Sequence, residues 1–310
     1  MKIIITGGLG HIGSRLIREI PELIDVSEIV IIDSLTTQRY SSLFELPLKT
    51  KYTFIQDDIR RLNASSIARC SDANLLIHLA AINDLTSGKL TYADLEANNL
   101  AATLAAISLC EKFEIPLIFP SSTSIYTSTG LNILETEPLE SNPNIYARCK
   151  TVEEESVNNF FARGGKGVIF RLGTIHGKSE GMRFHTAINK FCFQIAIGEP
   201  ISIWRSALTQ KRPYLGLIDF VNAICFVISN KAIYNETYNL VTKNYSITDI
   251  LQIFESVTNK SINITIEDND RMNDLDLQVS NEKFVSTGFS YRASIENDIS
   301  ETLKLLGDLR

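Results

Sequence analysis

The chain reads as an α/β fold, a doubly wound parallel sheet followed by a smaller mixed α/β segment. Three observations predict it. Short β-branched apolar runs alternate with helical stretches through the first half, the pattern of a parallel sheet covered by helices on both faces. The first of these runs passes directly into a glycine-rich turn, and after about residue 172 the alternation gives way to a mixed pattern.

The elements follow in order. Candidate strands cover residues 2–6, 28–33, 52–56, 75–78, 117–121 and 167–171, each a short apolar run. Between the first two, Ile12, Leu16, Ile17 and Ile20 share one face at helical spacing. Long helices are expected at 94–113 and 146–162, the second ended by Arg163-Gly164-Gly165-Lys166-Gly167. The remainder predicts a helix near 186–197, strands near 201–204 and 236–241, and helices near 247–258 and 295–306. The chain therefore divides into residues 1–172, with the chain returning around 206–230, and a smaller unit of residues 173–310 that closes over the first.

Composition narrows the classes of function. At 310 residues, 44% hydrophobic and 21% charged, the chain can bury a large core. A net charge of -6 supplies no general field for nucleic acid or anionic lipid, so an anionic ligand needs a local basic site. No apolar run reaches the length of a membrane span. Met1-Lys2 leads through three isoleucines into Thr6-Gly7-Gly8 without a signal-peptide core, so a cytoplasmic location is expected. Five scattered cysteines without a C-x-x-C pair, and four scattered histidines, indicate neither a disulfide framework nor a metal site.

The turn after the first strand reads Gly7-Gly8-Leu9-Gly10-His11-Ile12-Gly13, with Gly7, Gly10 and Gly13 three apart. Sixteen glycines in the chain would seldom place three so by chance at a strand-to-helix turn. That position needs glycine for the tight turn, for close approach of backbone amides to a pyrophosphate, and for packing of the helix on the strand. Twenty residues after Gly13 the second strand ends at Asp33, whose carboxylate can accept the adenosine ribose hydroxyls and would repel a 2′-phosphate. Arg39 lies near enough in sequence to serve such a phosphate, but Asp33 outweighs it, and NAD is expected rather than NADP. Asp58-Ile59 follows the third strand and His78-Leu79-Ala80-Ala81 the fourth, where small residues let the backbone approach the dinucleotide.

Tyr146 and Lys150 stand four apart on a predicted helix and so share a face. The strand before them ends Ser121-Ser122-Thr123-Ser124-Ile125-Tyr126, at the sheet's carboxyl edge, where parallel sheets bind ligands. A phenol with an ordinary pKa of about 10 abstracts an alcohol proton poorly, but an adjacent ammonium stabilises the phenolate. Ser122 could hold the substrate hydroxyl in line.

These motifs together resemble the extended short-chain dehydrogenase/reductase family, in its nucleotide-sugar epimerase/dehydratase branch, which has a Rossmann-like dinucleotide domain and a smaller C-terminal substrate domain. The resemblance spans nearly the whole chain. It rests on the Thr6 to Gly13 loop, Asp33, Asp58-Ile59-Arg60, His78-Leu79-Ala80-Ala81, Asn99-Leu100-Ala101-Ala102-Thr103, Ser121-Ser122 with Tyr126, Tyr146 with Lys150, Arg171, Gly177, the pair Arg212 and Asp219, and Arg271-Met272-Asn273-Asp274. It implies Tyr146 as general base, Lys150 as its electrostatic partner and nicotinamide-ribose ligand, and Ser122 as the third catalytic residue. For NAD it implies Gly7, Gly10, His11, Ile12, Gly13, Asp33, Ser34, Asp58, Ile59, Leu79, Ala80, Ala81 and Ser121 as well as Tyr146 and Lys150.

The departures carry information. Relatives that eliminate water at C5–C6 have an Asp-Glu pair directly after the catalytic hydroxyl residue, whereas this chain has Thr123 and Ser124, which argues against a 4,6-dehydratase. Thr127 replaces a usual glycine, and Thr174 a usual asparagine near the substrate phosphate. Cys149, inside the Tyr-x-x-x-Lys motif, reads as a small buried residue and not a nucleophile.

On the substrate side a nucleotide-diphosphate sugar demands specific arginines. The resemblance points to Arg212 and Arg271, with Asp274 orienting the latter or binding the nucleotide ribose. It adds Arg183, His185 and Asn189 near the diphosphate, Thr174, Trp204 near the base, and Asn83, Thr123 and Ser124 near the hexose. The expected activity is C4 epimerisation with NAD. The alternatives are a one-way C4 dehydrogenase or 4-keto reductase and, outside enzymes, a non-catalytic NAD- or nucleotide-sugar-binding protein. Residues 1–172 would then hold NAD and 173–310 the nucleotide sugar, in a homodimer joined through the two long helices. A sugar destined for a surface polysaccharide fits the departures.

Overall fold

The computed structural model describes residues 1–310 apart from 83–90, 128–129, 140–143, 268–275, 308 and 310. The chain opens with β1 (Lys2–Thr6), α1 (His11–Leu23), β2 (Glu28–Asp33), β3 (Lys51–Gln56), α2 (Ala64–Ala68) and β4 (Leu75–His78). It continues through α3 (Tyr92–Phe113), β5 (Leu117–Ser122), β6 (Gly130–Ile133), α4 (Ile145–Ala162), β7 (Gly167–Leu172), β8 (Thr174–His176) and α5 (Ala187–Ala196). The last third holds β9 (Ile201–Trp204), β10 (Arg212–Gly216), α6 (Leu217–Ser229), β11 (Glu236–Leu240), β12 (Lys243–Tyr245), α7 (Ile247–Thr258), β13 (Ile264–Glu267), β14 (Leu277–Val279), α8 (Glu282–Val285) and α9 (Ile295–Leu306).

Seven strands form one sheet in the order β3-β2-β1-β4-β5-β7-β11, and every neighbouring pair is parallel. Side chains alternate between its two faces. Ile3, Ile5, Ile29 and Ile31 enter one core cluster, and Ile4, Val30 and Ile32 enter the other. A strand buried on both faces needs apolar residues at every position, which is why these strands read as continuous runs. Leu16, Ile17 and Ile20 of α1 and Phe220, Val221 and Ile224 of α6 fill the first cluster. Ala106, Ile107 and Cys110 of α3 and Val157, Phe160 and Phe161 of α4 fill the second. The strand order reverses between β1 and β4, and open sheets of this kind bind ligands outside the strand ends at such a point.

Two segments expected within the C-terminal unit belong instead to the large sheet. Strand β11 pairs with β7, Tyr238 opposite Phe170. Phe284 of α8 packs its ring edge-on against Phe170 at 5.1 Å and lies 4.6 Å from Phe289. The apolar face of β7 draws both segments back across the chain, a long-range effect that local periodicity does not register. Helix α6, which the periodicity reading passed over, also lies on this sheet.

The remaining elements build three small sheets, β12-β10-β8, β13-β9 and β14-β6. They accompany a separate core in which Ile188 and Phe191 of α5 meet Phe254 of α7 and Ile299 of α9. Among the described residues no helix is long and apolar enough to cross a membrane, and the five cysteines are free.

Candidate active site

The turn after β1 shows why its glycines stand where they do. Gly7 adopts φ +64, and a side chain there would meet the Leu79 and Ala80 backbone at 2.7 Å. One at Gly13 would meet the Gly8 backbone at 2.6 Å. The two requirements press the turn against β4 and bring α1 down onto it. No side chain caps α1, whose N-cap is Gly10, so its first-turn amides face an anion site by default. The Asp33 carboxylate at the end of β2 accepts the Leu9 amide at 3.0 Å and the Leu35 amide at 2.9 Å. Arg39 reaches over the turn and donates from Nη1 to the Gly181 carbonyl at 2.8 Å.

At the other end of the crevice α4 carries Tyr146, Lys150 and Glu153 on one face. Asn144 starts the helix by accepting the Tyr146 and Ala147 amides. The Lys150 ammonium lies 4.9 Å from the centre of the Phe119 ring of β5 and 6.0 Å from that of Tyr146, and it donates to Glu153 Oε2 at 3.1 Å. The glutamate raises Lys150 above the ordinary lysine range against the opposing effect of burial. Burial raises the Tyr146 phenol, and Lys150 opposes that rise. The Ser122 hydroxyl, where β5 ends, accepts the Ser124 amide at 3.1 Å and lies 2.9 Å from the Ser124 hydroxyl. Beside it Ser121 Oγ is buried without a hydrogen-bond partner among the described residues.

The uncapped helix, the anchored Asp33, the Arg39 cation and the orphaned Ser121 hydroxyl lie along the carboxyl edge of β1, β2 and β5, and they fit a dinucleotide laid across the switch point. Ser34, Leu79, Ala80 and Ala81 occupy the same edge, Leu79 and Ala80 tied through their amides to the Thr6 carbonyl and hydroxyl. Asp58 is bound by Arg60 at 2.5 Å, which holds its carboxyl below the usual range. Ile59 is buried in the core.

The expected sugar-side residues divide. Thr174 and Trp204 stand exposed at strand ends, and Arg212 begins β10, its guanidinium lowered by burial. Arg183 and His185 lie on the approach to α5, close enough to His11 to act on it electrostatically. Thr123 does not reach the crevice, because its hydroxyl is buried and donates to the Leu172 carbonyl at 3.1 Å. Asn189 is fully buried and donates to the Arg183 carbonyl at 3.2 Å, with His11 Nε2 at 3.4 Å. Thr123, expected near the hexose, is instead tied to the Leu172 carbonyl, whereas Asn189, expected near the diphosphate, keeps its Oδ1 buried without a hydrogen-bond partner among the described residues. Asn83, Arg271 and Asp274 lie outside the described residues.

The sequence reading did not single out a buried polar chain behind Lys150. The Ala80 amide donates to Thr6 Oγ1 at 3.2 Å, and Thr6 Oγ1 meets His78 Nδ1 at 2.8 Å. His78 Nε2 lies 3.4 Å from Thr103 Oγ1, which donates to Glu153 Oε2 at 2.8 Å. The spacing of three residues from Lys150 was the available signal for Glu153. A second buried group joins Arg171 to Glu154 at 2.8 Å and to the Tyr126 hydroxyl at 3.0 Å.

A family model described as the NAD dependent epimerase/dehydratase family matches residues 3–240. Among solved structures the chain is similar to the UDP-N-acetylglucosamine 4-epimerase of Methanobrevibacter ruminantium M1 in complex with UDP-N-acetylmuramic acid, at 23% identity and a TM-score of 0.85, over 98% of this chain and 97% of that one. It is similar to the Bacillus cereus UDP-glucuronic acid 4-epimerase in complex with UDP-glucuronic acid and NAD, at 22% identity and a TM-score of 0.85, over 99% of this chain and 100% of the other. It also matches a dTDP-glucose 4,6-dehydratase from Streptomyces venezuelae with NAD bound, at 18% identity and a TM-score of 0.83, over 98% and 96% of the two chains.

Proposed function

The chain belongs to the NAD-dependent epimerase/dehydratase family, and on that premise we propose that it is a nucleotide-sugar C4 epimerase. The observation that carries this reading is the placement of Tyr146 and Lys150 on one face of α4, against the end of β5 where Ser122 stands. Tyr146 takes the C4 hydroxyl proton of the sugar. Lys150 stabilises the phenolate that results, and Ser122 orients the hydroxyl. The turn after β1, with Asp33 and Ser121, would hold NAD, which when bound would supply a hydride acceptor and donor for C4 without net oxidation of the sugar. Thr123 and Ser124 follow Ser122 where an acid–base pair would be needed for elimination, and neither side chain can serve as an acid–base pair near neutral pH. The two 4-epimerases among the similar structures support the choice within the family.

We place NAD on the large sheet and the nucleotide sugar against the elements around α5, β9 and β10, with Arg183 and Arg212 supplying positive charge and His185 a polar ring for a diphosphate. Cytoplasmic work on a sugar for a surface polysaccharide belongs to this reading. So does a homodimer through α3 and α4, whose outer faces present exposed Leu104 and half-buried Leu100 and Val152.

The test is proton NMR of UDP-, GDP-, dTDP- and CDP-sugars incubated with the protein and substoichiometric NAD. A C4 epimer exceeding the cofactor in amount is expected. Oxidised sugar limited to the amount of NAD would replace the epimerase by a dehydrogenase, binding without any product would remove the enzyme reading for that panel, and a fully active Tyr146→Phe protein would remove the assigned base.

A further inference from the structure

Glu153 is the unexpected member of the site. It is 1% exposed, and a carboxylate is kept in such surroundings only by direct partners. Oε2 has two, the Lys150 ammonium at 3.1 Å and the Thr103 hydroxyl at 2.8 Å. Oε1 has none among the described residues.

The chain behind Thr103 has a consistent donor order. Burial lowers His78 to about 3, so its ring is neutral and holds one proton. Thr103 spends its hydroxyl hydrogen on Glu153 and can only accept from His78 Nε2. That places the imidazole proton on Nε2 and makes Nδ1 the acceptor of the Thr6 hydroxyl hydrogen. Thr6 in turn accepts the Ala80 amide. Every donor from the β4 end of the crevice is thus directed toward Glu153 Oε2, the arrangement an ionised carboxylate requires. The chain begins at Ala80, beside the glycine turn, and ends at Lys150, beside Tyr146.

We propose that Glu153 is a positioning residue for the reaction, anchoring Lys150 between Phe119 and the Thr103–His78–Thr6 chain and setting the net charge that Tyr146 meets. The proposal rests on the assignment of Tyr146 and Lys150 above. Without Glu153 the ammonium would face the phenol unopposed. With it part of the ammonium's effect on the phenol is offset, the lysine remaining the stronger of the two, and Lys150 keeps one orientation. The titratable groups that face the trio are few. Cys149 and Glu154 lie on α4 itself, and Lys150 acts on His78 of β4, helping burial to keep that ring neutral. Thr103 of α3 and Phe119 of β5 contribute no charge.

The experiment follows protons rather than turnover. Protein labelled with 13C at tyrosine Cζ and lysine Cε is titrated by NMR, with Tyr146→Phe and Lys150→Arg assigning the two signals, in wild type, Glu153→Gln and Glu153→Leu. Removing the negative charge favours loss of the first proton from the Tyr146–Lys150 pair, so that step should move down by about one pH unit or more in both variants. Glu153→Leu leaves no buried amide to satisfy and keeps the test open if the glutamine variant does not fold. An unmoved first step in the folded variants overturns the proposal. The titration needs no substrate, so its failure is distinct from failure of the epimerase reading, which turns on product analysis and on Tyr146→Phe.

Discussion

Asp33 holds Leu9: the carboxylate of one accepts the amide of the other at 3.0 Å and so ties the end of β2 to the glycine turn that follows β1. The second oxygen takes the Leu35 amide at 2.9 Å. One side chain thereby shapes the turn, and under the proposed function it also meets the adenosine ribose of NAD. Asp33→Ala removes both functions. NAD affinity should fall by about 1.5–3 kcal/mol, or roughly 10- to 150-fold, the range for hydrogen bonds to a charged group. Titration calorimetry measures this, and an unchanged Kd would mean that Asp33 does not touch the cofactor.

Gly13→Ala tests the packing of α1 on the turn. Its methyl group would stand 2.6 Å from the Gly8 backbone, and backbone cannot rotate aside as a side chain can. A loss of about 1–3 kcal/mol of stability is expected, together with loss of NAD binding. Urea denaturation and fluorescence titration report the two effects, and a variant matching wild type in both would contradict the steric reading.

Lys150→Met should destabilise more than a surface lysine would, because it leaves Glu153 charged and buried with one partner. The expected cost is about 3–5 kcal/mol. Adding Glu153→Leu should restore a large part of it, since the pair is then replaced by apolar groups of similar volume. Denaturation of the single and double variants measures the coupling, and additive losses would show that the two side chains do not interact.

Two histidines, His78 fully enclosed and His11 half-buried, set an acid limit to stability. His11 and His78 are each lowered to about 3, first by burial, whereas in the unfolded chain they titrate near 6.5. Below that value the unfolded state binds more protons, so their contribution is fully present above pH 6.5 and declines as pH falls toward 3. Each histidine adds a slope approaching 1.4 kcal/mol per pH unit. Denaturation at pH 7, 6 and 5 should show it, and His11→Gln should flatten the curve by one histidine's share. An unchanged slope in that variant would show that His11 does not titrate on unfolding.

Much of this was legible in the residues. The runs at 2–6, 28–33 and 75–78 become strands with those same limits, because strands buried on both faces must be apolar throughout. The helix expected at 12–20 extends to His11–Leu23, its ends being poor in apolar signal. Tyr146 and Lys150 could be paired from spacing alone, since four residues bring side chains together on any helix. Thr123 and Asn189 could not be judged in that way. Their polarity alone does not say what they meet, and only the structure shows the Thr123 hydroxyl on the Leu172 carbonyl and the Asn189 Nδ2 on the Arg183 carbonyl.

By itself the sequence determined the parallel sheet, the glycine turn with its acidic partner at Asp33, and the Tyr146–Lys150 pair, the first through the periodicity of burial, the second through the residue types that a strand-to-helix turn and a strand end demand, the third through helical spacing. Tertiary structure alone decided that β11 and α8 return to the large sheet, that Glu153 faces Lys150 rather than solvent, and that Thr6, His78 and Thr103 from three separate elements line up behind it. Each of these depends on elements far apart in the chain, Glu153 being enclosed by Thr103 of α3 as well as paired with its near neighbour Lys150, and a buried polar group shows its role only when the partner that offsets its desolvation is in place.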